Sequence, residues 1–301
     1  MARPFRPRVF ATAAMAAMAM LLPASASATI TVGSDLTTPP TNTSDNCILS
    51  TPPCTHLLVG VHPGNAFPKV SPTNGTIVSF GMRTGVLSGA NETDTFRLGR
   101  LDNTCCSGNG SGDGTGPTIT VHEPGIYSFP TSMPVRAGDY VGIDSVSTRA
   151  FANYPSNCAP TGAGFITYHP VLTNGGPFQA SDANSICELL VNMVIVPSNT
   201  FSFAKAKNNL KLGIVILKLE LPGPGELSVA GRGVKRASAG GAHESKTVAA
   251  AGTTKLKIRA KGAARRKLDE TGRVTLKPKI IFSPTGGTPT SQTRTVKLRK
   301  Q

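Results

Sequence analysis

The chain contains no tryptophan, and aromatic residues of all kinds make up only 5% of it. Secreted proteins that bind sugars usually stack them on a platform of aromatic rings. All four tyrosines precede residue 200: Tyr127, Tyr140, Tyr154 and Tyr168. An aromatic sugar platform is therefore poorly supplied, and a sugar site would have to work by hydrogen bonding.

Long apolar runs are also missing beyond the first 28 residues, so no later segment is predicted to span a membrane. Those 28 residues carry Arg3, Arg6 and Arg8, then an apolar stretch from Val9 to Leu22, and end in Ala26-Ser27-Ala28. This order is typical of a cleaved secretory signal. The alternative is an uncleaved anchor, but the stretch is shorter than the ~20 residues that a spanning helix needs. We therefore expect residues 1–28 to be removed and the protein to be secreted, either extracellular or associated with the cell wall.

Cysteine is absent from residues 199–301, whereas six cysteines lie upstream: Cys47, Cys54, Cys105, Cys106, Cys158 and Cys187. An even number of cysteines in an exported protein predicts disulfides, with the connectivity left open. Cys47 and Cys54 flank a Pro-Pro turn and can close a local loop. The adjacent Cys105 and Cys106 are expected to reach Cys158 and Cys187, because neighbouring residues rarely pair with each other. The sequence contains no C-x-x-C pair, so the cysteines do not indicate a metal site.

Helical periodicity is almost absent after the signal, apart from a short turn expected around Asp182–Ile186. Short apolar, β-branched runs separated by Gly, Pro, Asn and Asp dominate instead and predict strands. In the first half these are Leu57–Val61, Thr76–Met82, Thr95–Leu101, Thr118–Val121, Tyr140–Ile143, Gly164–Tyr168 and Leu189–Val196. We predict an all-β protein of two antiparallel sandwiches, with a jelly-roll-like domain at 29–198 and a basic immunoglobulin-like domain at 199–301.

The second half alternates more regularly. Leu217, Leu219 and Leu221 are expected to face inward, as are Leu256, Ile258 and Ala260, with charged residues between them facing outward. The predicted strands are Lys211–Leu221, Glu226–Ala230, Lys255–Ala260, Arg273–Phe282 and Thr293–Leu298, with turns at Pro222–Gly225 and Pro284–Gly287.

Several of these segments carry a resemblance. Three runs in the second half resemble the C-terminal, immunoglobulin-like module of many secreted proteins of soil actinobacteria. They are N-L-K-L-G-I-V-I-L-K-L-E-L-P-G-P-G-E-L-S-V-A-G-R-G-V-K at 209–235, A-A-G-T-T-K-L-K-I-R-A-K-G at 250–262, and S-P-T-G-G-T-P-T at 283–290 with V-K-L-R-K. Three runs in the first half resemble the β-rich domain that often precedes that module: S-P-T-N-G-T-I-V-S-F, F-R-L-G-R-L and P-V-R-A-G-D-Y-V-G-I-D. The resemblance implies architecture and export, and it carries no catalytic residues.

Charge divides the chain as sharply as cysteine does. Residues 200–301 hold 22 of the 31 Lys and Arg and 5 of the 16 Asp and Glu, a net charge of +17, whereas residues 29–199 carry −5. The outward strand positions and one predicted loop supply candidate ligand-binding residues: Lys257, Arg259, Lys261, Arg265, Arg266 and Lys267. Two interpretations are open, a solvated face that keeps the protein soluble and a surface that adheres to an anionic polymer of the envelope or surroundings. Nucleic acid is not the expected partner, because aromatic residues for base stacking are not interleaved.

Motifs for catalysis are weak. Asn109, Ser111 and Asp113, followed by Gly114, loosely resemble a calcium loop without its bidentate Glu. The Asp139 carboxylate in Arg136–Tyr140 is expected to satisfy N–H groups of a turn. We predict a non-enzymatic protein without a cofactor. The alternative is a hydrolase or lyase of polysaccharide, using a carboxylate pair about 5–10 Å apart in a groove of the N-terminal domain.

Overall fold

A computed structural model describes residues 28–37, 40, 42–43, 53–85, 92–102, 108–145, 152–154, 164–236 and 245–301. The predicted all-β class is confirmed, since strands of antiparallel sheets account for most of these residues and only one short helix is present among them. We refer to residues 30–197 as the N-terminal sandwich and to residues 202–299 as the C-terminal sandwich.

Twelve strands build the described part of the N-terminal sandwich. They are β1 Ile30–Gly33, β2 Asn42–Thr43, β3 Cys54–Gly60, β4 Gly75–Thr84, β5 Glu92–Leu101, β6 Gly110–Val121, β7 Gly125–Val135, β8 Tyr140–Ser145, β9 Ala152–Tyr154, β10 Gly164–Tyr168, β11 Ala183–Ser185 and β12 Val191–Pro197. One sheet has the order β1-β12-β4-β7, and the other has the order β11-β10-β3-β8-β5-β6. Strands β2 and β9 form a separate pair outside these two sheets. Without that pair and without the extra strands β10 and β11 at one edge, the remaining eight strands follow the two-sheet order of a jelly roll.

The core of this sandwich forms where the two sheets face each other. Phe80 and Met193 come from the first sheet, and Phe96 and Ile143 come from the second; all four are fully buried. The rings of Phe80 and Phe96 stack across the interface with centroids 4.6 Å apart. This aromatic and aliphatic packing joins the two sheets.

The C-terminal sandwich contains ten described strands and one helix. They are β13 Ser202–Asn209, β14 Ile214–Leu221, β15 Gly225–Ala230, β16 Val234–Arg236, β17 Ser245–Val248, β18 Gly252–Ala260, α1 Ala263–Thr271, β19 Arg273–Leu276, β20 Lys279–Pro284, β21 Thr290–Thr293 and β22 Val296–Arg299. Its sheets run β13-β14-β18-β16 and β17-β15-β20-β21, with a separate two-stranded ribbon β19-β22. Apart from β17 and the ribbon, this strand order resembles the constant-type immunoglobulin arrangement.

The alternation predicted for this half is confirmed. Leu217, Leu219 and Leu221 of β14 are buried, as are the predicted inward residues of β18. They form one apolar core with residues of the opposite sheet, including Leu227 and Phe282. The charged residues between them consequently lie on the outer face of the sheet.

Among the residues that the structure describes, the two sandwiches share no strand and no core cluster, and they touch at two turns of the C-terminal sandwich. The turn Pro284–Gly287 lies against Ile30 and Pro197, and the turn Pro222–Gly225 lies against Thr73 and Asn74. The backbone N–H of Asn74 donates to Pro222 O at 2.7 Å, and the Thr73 hydroxyl donates to the same oxygen at 3.2 Å. Gly223 is required there, because a Cβ on it would lie 2.1 Å from Thr73 Oγ1. The predicted Pro-Gly-Pro-Gly turn therefore also makes one of the contacts between the sandwiches. The division into domains at 198/199 stays a prediction.

Three segments differ from the expectation. The basic segment at 261–267 was expected to be a loop but largely belongs to α1, whose Ala, Arg, Lys and Glu residues favour helix. Leu268 anchors the helix in the core, and Gly272, at φ 66°, ends it in the left-handed conformation. The expected strand Arg273–Phe282 is interrupted before β20, because Pro278 has no N–H to donate to a ladder. Asp182–Ile186 contains the short strand β11, where a turn was expected.

Candidate functional site

The outer face of the sheet β13-β14-β18-β16 carries seven cationic side chains, which we call the lysine face. They are Lys205, Lys207, Lys218, Lys235, Lys255, Lys257 and Arg259. They share this face because each occupies the outward phase of its strand and the strands are in register. Five of them are exposed, and Lys235 and Arg259 are half-buried.

Three of these lysines form a row across the strands. Lys218 of β14 lies directly opposite Lys205 on one side and Lys255 on the other. Neighbouring strands are about 4.8 Å apart, so three ammonium stems are placed side by side over about 10 Å. A cavity of about 410 Å³ lies here, lined by Lys205, Lys207, Ile216, Lys218 and Lys255. Like charges in direct cross-strand register oppose folding, so the row is not explained by stability.

Acidic residues do little to neutralise this face. Glu220 lies at its end, where it accepts a hydrogen bond of 2.6 Å from the Thr253 hydroxyl. Within the described ranges, none of the seven cations of the lysine face forms an ion pair. The face therefore presents uncompensated positive charge to solvent.

A second basic surface lies on the ribbon β19-β22 beside α1, and we call it the arginine pocket. Arg273 and Arg299 are directly opposite each other, and Lys297 is opposite Thr275 on the same exposed side. The cavity measures about 620 Å³ and is lined by Lys267, Thr271, Arg273, Val274, Thr275, Lys297, Leu298 and Arg299. No carboxylate is among these lining residues, so the cavity suits an anion.

The six predicted site residues are dispersed. Lys257 and Arg259 belong to the lysine face, and Lys267 lines the arginine pocket. Lys261 and Arg266 are exposed outside both surfaces. The expectation of a single basic loop was thus wrong about the local structure, and the binding role of the six residues stays a prediction.

Arg265 is partly neutralised. It pairs with Asp269 one helical turn later at 2.8 Å, and Lys300 contacts the same carboxylate at 2.5 Å. The hydrogen bond from Lys300, followed by that from Arg265, lowers the pKa of Asp269. Lys300 therefore links the C-terminal end of the chain to the helix through Asp269, and the charge of Arg265 is partly compensated within the helix.

Other cations of the two surfaces were not among the predicted site residues. Lys205 and Lys207 lie on β13, which had no predicted strand, because most of its side chains are exposed and it lacks an apolar alternation. Its K-A-K spacing was the available signal, since alternate residues of a strand share a face. Lys297 and Arg299 show the same spacing in the terminal strand.

The weak calcium candidate is used differently. Ser111 and Asp113 lie in β6 rather than in a hairpin tip, and the Ser111 hydroxyl donates to Gly176 O at 2.7 Å. The Asp113 carboxylate faces Arg136 at 3.0 Å and Arg100 at 3.6 Å. Asn109 immediately precedes the strand. Across the described ranges, no three His, Cys, Asp or Glu side chains are grouped so that they could hold a metal ion.

The Asp139 turn is confirmed. Asp139 is fully buried, and its carboxylate accepts hydrogen bonds from the Arg136 N–H at 2.7 Å and from Arg100 Nε at 2.7 Å. Burial raises the pKa of Asp139, and these two hydrogen bonds oppose the increase. Gly138, at φ 97°, supplies the backbone conformation of the turn.

Two further carboxylates of the N-terminal sandwich are held by cationic or imidazole groups. Asp144 receives Arg97 Nε at 2.9 Å inside the sheet. Glu188 is fully buried and lies 2.6 Å from His62 Nδ1, while His62 Nε2 lies 3.6 Å from Asp35. A buried carboxylate next to an imidazole supplies two of the three members of a catalytic triad. Here the far nitrogen faces a second carboxylate rather than a hydroxyl or thiol, so the group joins three segments of chain.

Four of the six cysteines, Cys47, Cys105, Cys106 and Cys158, lie outside the described residues. Cys54 and Cys187 are both buried at the N-terminal sandwich. The predicted pairing, like the secretory signal at 1–28, stays a prediction.

No protein-family model matches the chain, and no curated protein shows significant similarity to it. In the part of the chain that the structure describes, the single helix is too short and too polar to cross a membrane. The two basic surfaces are therefore the features of the described chain that bear on function.

Proposed function

We propose that this is a secreted, non-enzymatic binding or structural protein that attaches to an anionic polymer of the cell envelope or its surroundings. The observation that carries the proposal is the lysine face, with its in-register row Lys205–Lys218–Lys255. Its cations repel one another in the unbound protein, and a bound polyanion would remove that repulsion.

The extent of the face favours a polymer over a small anion. Four strands span about 14 Å between their axes, and Lys255 to Arg259 along β18 covers about 14 Å more. One small anion neutralises only part of such an area. A polymer that carries an anion on each repeat can contact several cations at once and gain affinity from all of them.

The export signal and the cysteines support an extracellular partner. A chain with the features of residues 1–28 is expected to leave the cytoplasm, where nucleic acid is abundant, and to meet envelope polymers. We propose that the cysteines form disulfides in that oxidising compartment and stabilise the N-terminal sandwich. Cell-wall association and membership of the actinobacterial secreted proteins that the sequence resembles belong to the same proposal.

The test is co-sedimentation of the full mature chain with purified, insoluble cell walls and with cross-linked polygalacturonate. In the row variant, Lys205, Lys218 and Lys255 are each replaced by Gln. The matched control replaces Lys69, Lys277 and Lys279, three exposed lysines outside both basic surfaces. Both variants lose the same charge.

We expect the unmodified chain and the control to sediment at about 0.1 M salt and the row variant to sediment much less. All binding should weaken at about 1 M salt, where the screening length falls from about 10 Å to about 3 Å. Equal sedimentation of the row variant and the control would leave only the interpretation of a solvated face.

A further inference from the structure

We infer that the arginine pocket is a separate binding site and that it takes a phosphoryl group. The site is additional to the lysine face, and it stands whether or not the lysine face binds a polymer. It consists of Arg273, Lys297 and Arg299 on the ribbon, with Lys267 from α1 and the hydroxyl of Thr275.

The pairing of the ribbon brings two guanidinium groups together. Arg273 and Arg299 are directly opposite each other in antiparallel register, where Cα atoms are about 4.5–5.5 Å apart. Both side chains are exposed on the same side of the ribbon as Lys297. Two forks of N–H donors therefore reach the same volume of about 620 Å³.

The positive charge in the pocket has no compensation nearby. None of its four cations forms an ion pair with a residue that the structure describes. Asp269 of α1 is already occupied by Arg265 and Lys300, and neither Asp269 nor Glu270 lines the cavity. An anionic ligand would supply the missing countercharge.

The chemistry of the donors favours phosphate over carboxylate. An arginine fork donates two parallel hydrogen bonds to a carboxylate or to a phosphate. A terminal phosphate has three acceptor oxygens and close to two charges at neutral pH, so it can accept both forks and a lysine. A carboxylate has two oxygens and one charge, and it leaves part of this donor set unused.

The walls of the pocket are held in place before any ligand binds. The Thr271 hydroxyl lies 2.7 Å from Lys267 O and 2.9 Å from Arg273 O, which joins the end of α1 to the start of β19. The Lys300 N–H donates to Gly272 O at 2.8 Å and fixes β22 beside the same turn. The backbone that carries the donors is therefore fixed, and donors on a fixed backbone lose less entropy on binding than donors on a mobile loop.

The arginine pocket and the lysine face have no residue in common. Val296 and Leu298 on the apolar side of the ribbon pack into the same core as Leu217 and Leu219 of β14. The charged side of the ribbon and the outer face of β14 each lie on the side opposite this core. Substitutions on one surface leave the other surface intact, so the two sites can be tested separately.

The experiment is a titration of the full mature chain, labelled with ¹⁵N on arginine side chains, at constant ionic strength. The probes are inorganic phosphate, glycerol phosphate and poly(glycerol phosphate), with acetate and polygalacturonate as carboxylate controls. The variants are Arg273→Gln with Arg299→Gln, the charge-conserving Arg273→Lys with Arg299→Lys, and the row variant of the lysine face.

We expect phosphoryl probes to shift the Nε signals of Arg273 and Arg299 and acetate to shift them much less. The Gln variant should bind phosphate about ten-fold more weakly or worse, since it loses charged hydrogen bonds. The Lys variant should lose the preference for phosphate over acetate although its charge is unchanged. The row variant should bind phosphate normally. This result distinguishes a failure of the arginine-pocket inference from a failure of the polymer-binding proposal for the lysine face.

Glycerol phosphate should give a larger response than poly(glycerol phosphate), because an internal phosphodiester has only two free oxygens and one charge. The reverse order would overturn the assignment of a terminal phosphate. Equal responses to phosphate and acetate would overturn the inference. So would a Lys variant that keeps the phosphate preference, or the absence of shifts at both arginines.

Discussion

Replacing Lys218 by Gln should stabilise the C-terminal sandwich while it weakens polymer binding. Lys218 is the centre of the row, and it faces Lys205 and Lys255 directly. A like-charge cross-strand pair costs about 0.2–1 kcal/mol, so removal of two pairs should gain about 0.4–2 kcal/mol. Coulomb's law agrees, because two charges about 6 Å apart in water repel by about 0.7 kcal/mol before screening. Glutamine keeps most of the aliphatic stem, so the apolar contacts of this position change little.

Calorimetry of the full chain measures the effect. A gain of about 1 kcal/mol raises the Tm of a domain of 60–100 residues by about 4–8 °C. Hydrogen exchange of the β14 amides gives a local readout of the same change. At about 1 M salt the gain should largely disappear, since screening already suppresses the repulsion. The exposed Lys277, which lies outside the row, is the control position, and its Gln variant should melt unchanged.

A Lys218→Gln chain that melts lower than the unmodified chain, or that gains the same stability at every salt concentration, would refute the electrostatic reasoning. A chain that gains stability and keeps full polymer affinity would show that the row repels without binding. Stability and affinity must move in opposite directions for the account to hold.

Three further predictions concern the N-terminal sandwich and export. Burial lowers the pKa of His56 from its ordinary 6.5 to about 3. Below about pH 6.5 the unfolded chain therefore binds a proton that the folded chain excludes. The free energy of unfolding should be unaffected by His56 above about pH 6.5 and should be lower by about 2 kcal/mol at pH 5. Urea unfolding against pH should show this slope, and a His56→Phe variant should lose it. Reduction should lower the melting temperature of residues 30–197 and leave that of residues 202–299 unchanged, because a native disulfide contributes about 2–5 kcal/mol to stability. If calorimetry with reductant moves neither transition, the thiols were never paired. Mass spectrometry of the secreted protein should find Thr29 at the N-terminus, and recovery of peptides that contain Arg6 would exclude cleavage there.

The sequence predicted the class of the fold because the strands of both sandwiches alternate or carry compact apolar runs. Gly164–Tyr168 was predicted with the bounds that the structure has, and β14 and β18 show the expected inward residues. The edge strand β13 was missed, since a strand with few buried side chains has no apolar period to detect. The helix α1 was missed because only Leu268 is fully buried in it, and one apolar residue defines no face.

The positive charge of the candidate site could be predicted from the sequence, but the arrangement of its cations could not. The excess of Lys and Arg after residue 200 is visible in the sequence. The row across three strands depends on register, which is set by long-range pairing that no local pattern of Lys205 or Lys255 reveals. The arginine pocket depends in the same way on the pairing of Arg273 with Arg299 across 26 residues of chain.

The salt dependence of polymer binding is the sharpest test of the lysine face as the binding surface. The affinity of the full mature chain for labelled poly(glycerol phosphate) would be measured by fluorescence anisotropy over a series of salt concentrations. For single-stranded nucleic acids, which are flexible polyanions with one phosphate per repeat, each cation that contacts a phosphate contributes about 0.7 to the slope of log affinity against log salt, and we take the same value here. The row variant should therefore lose about 2 from the slope, while the matched control should keep the slope of the unmodified chain. Equal slopes for the row variant and the control would contradict the proposal that the lysine face is the binding surface.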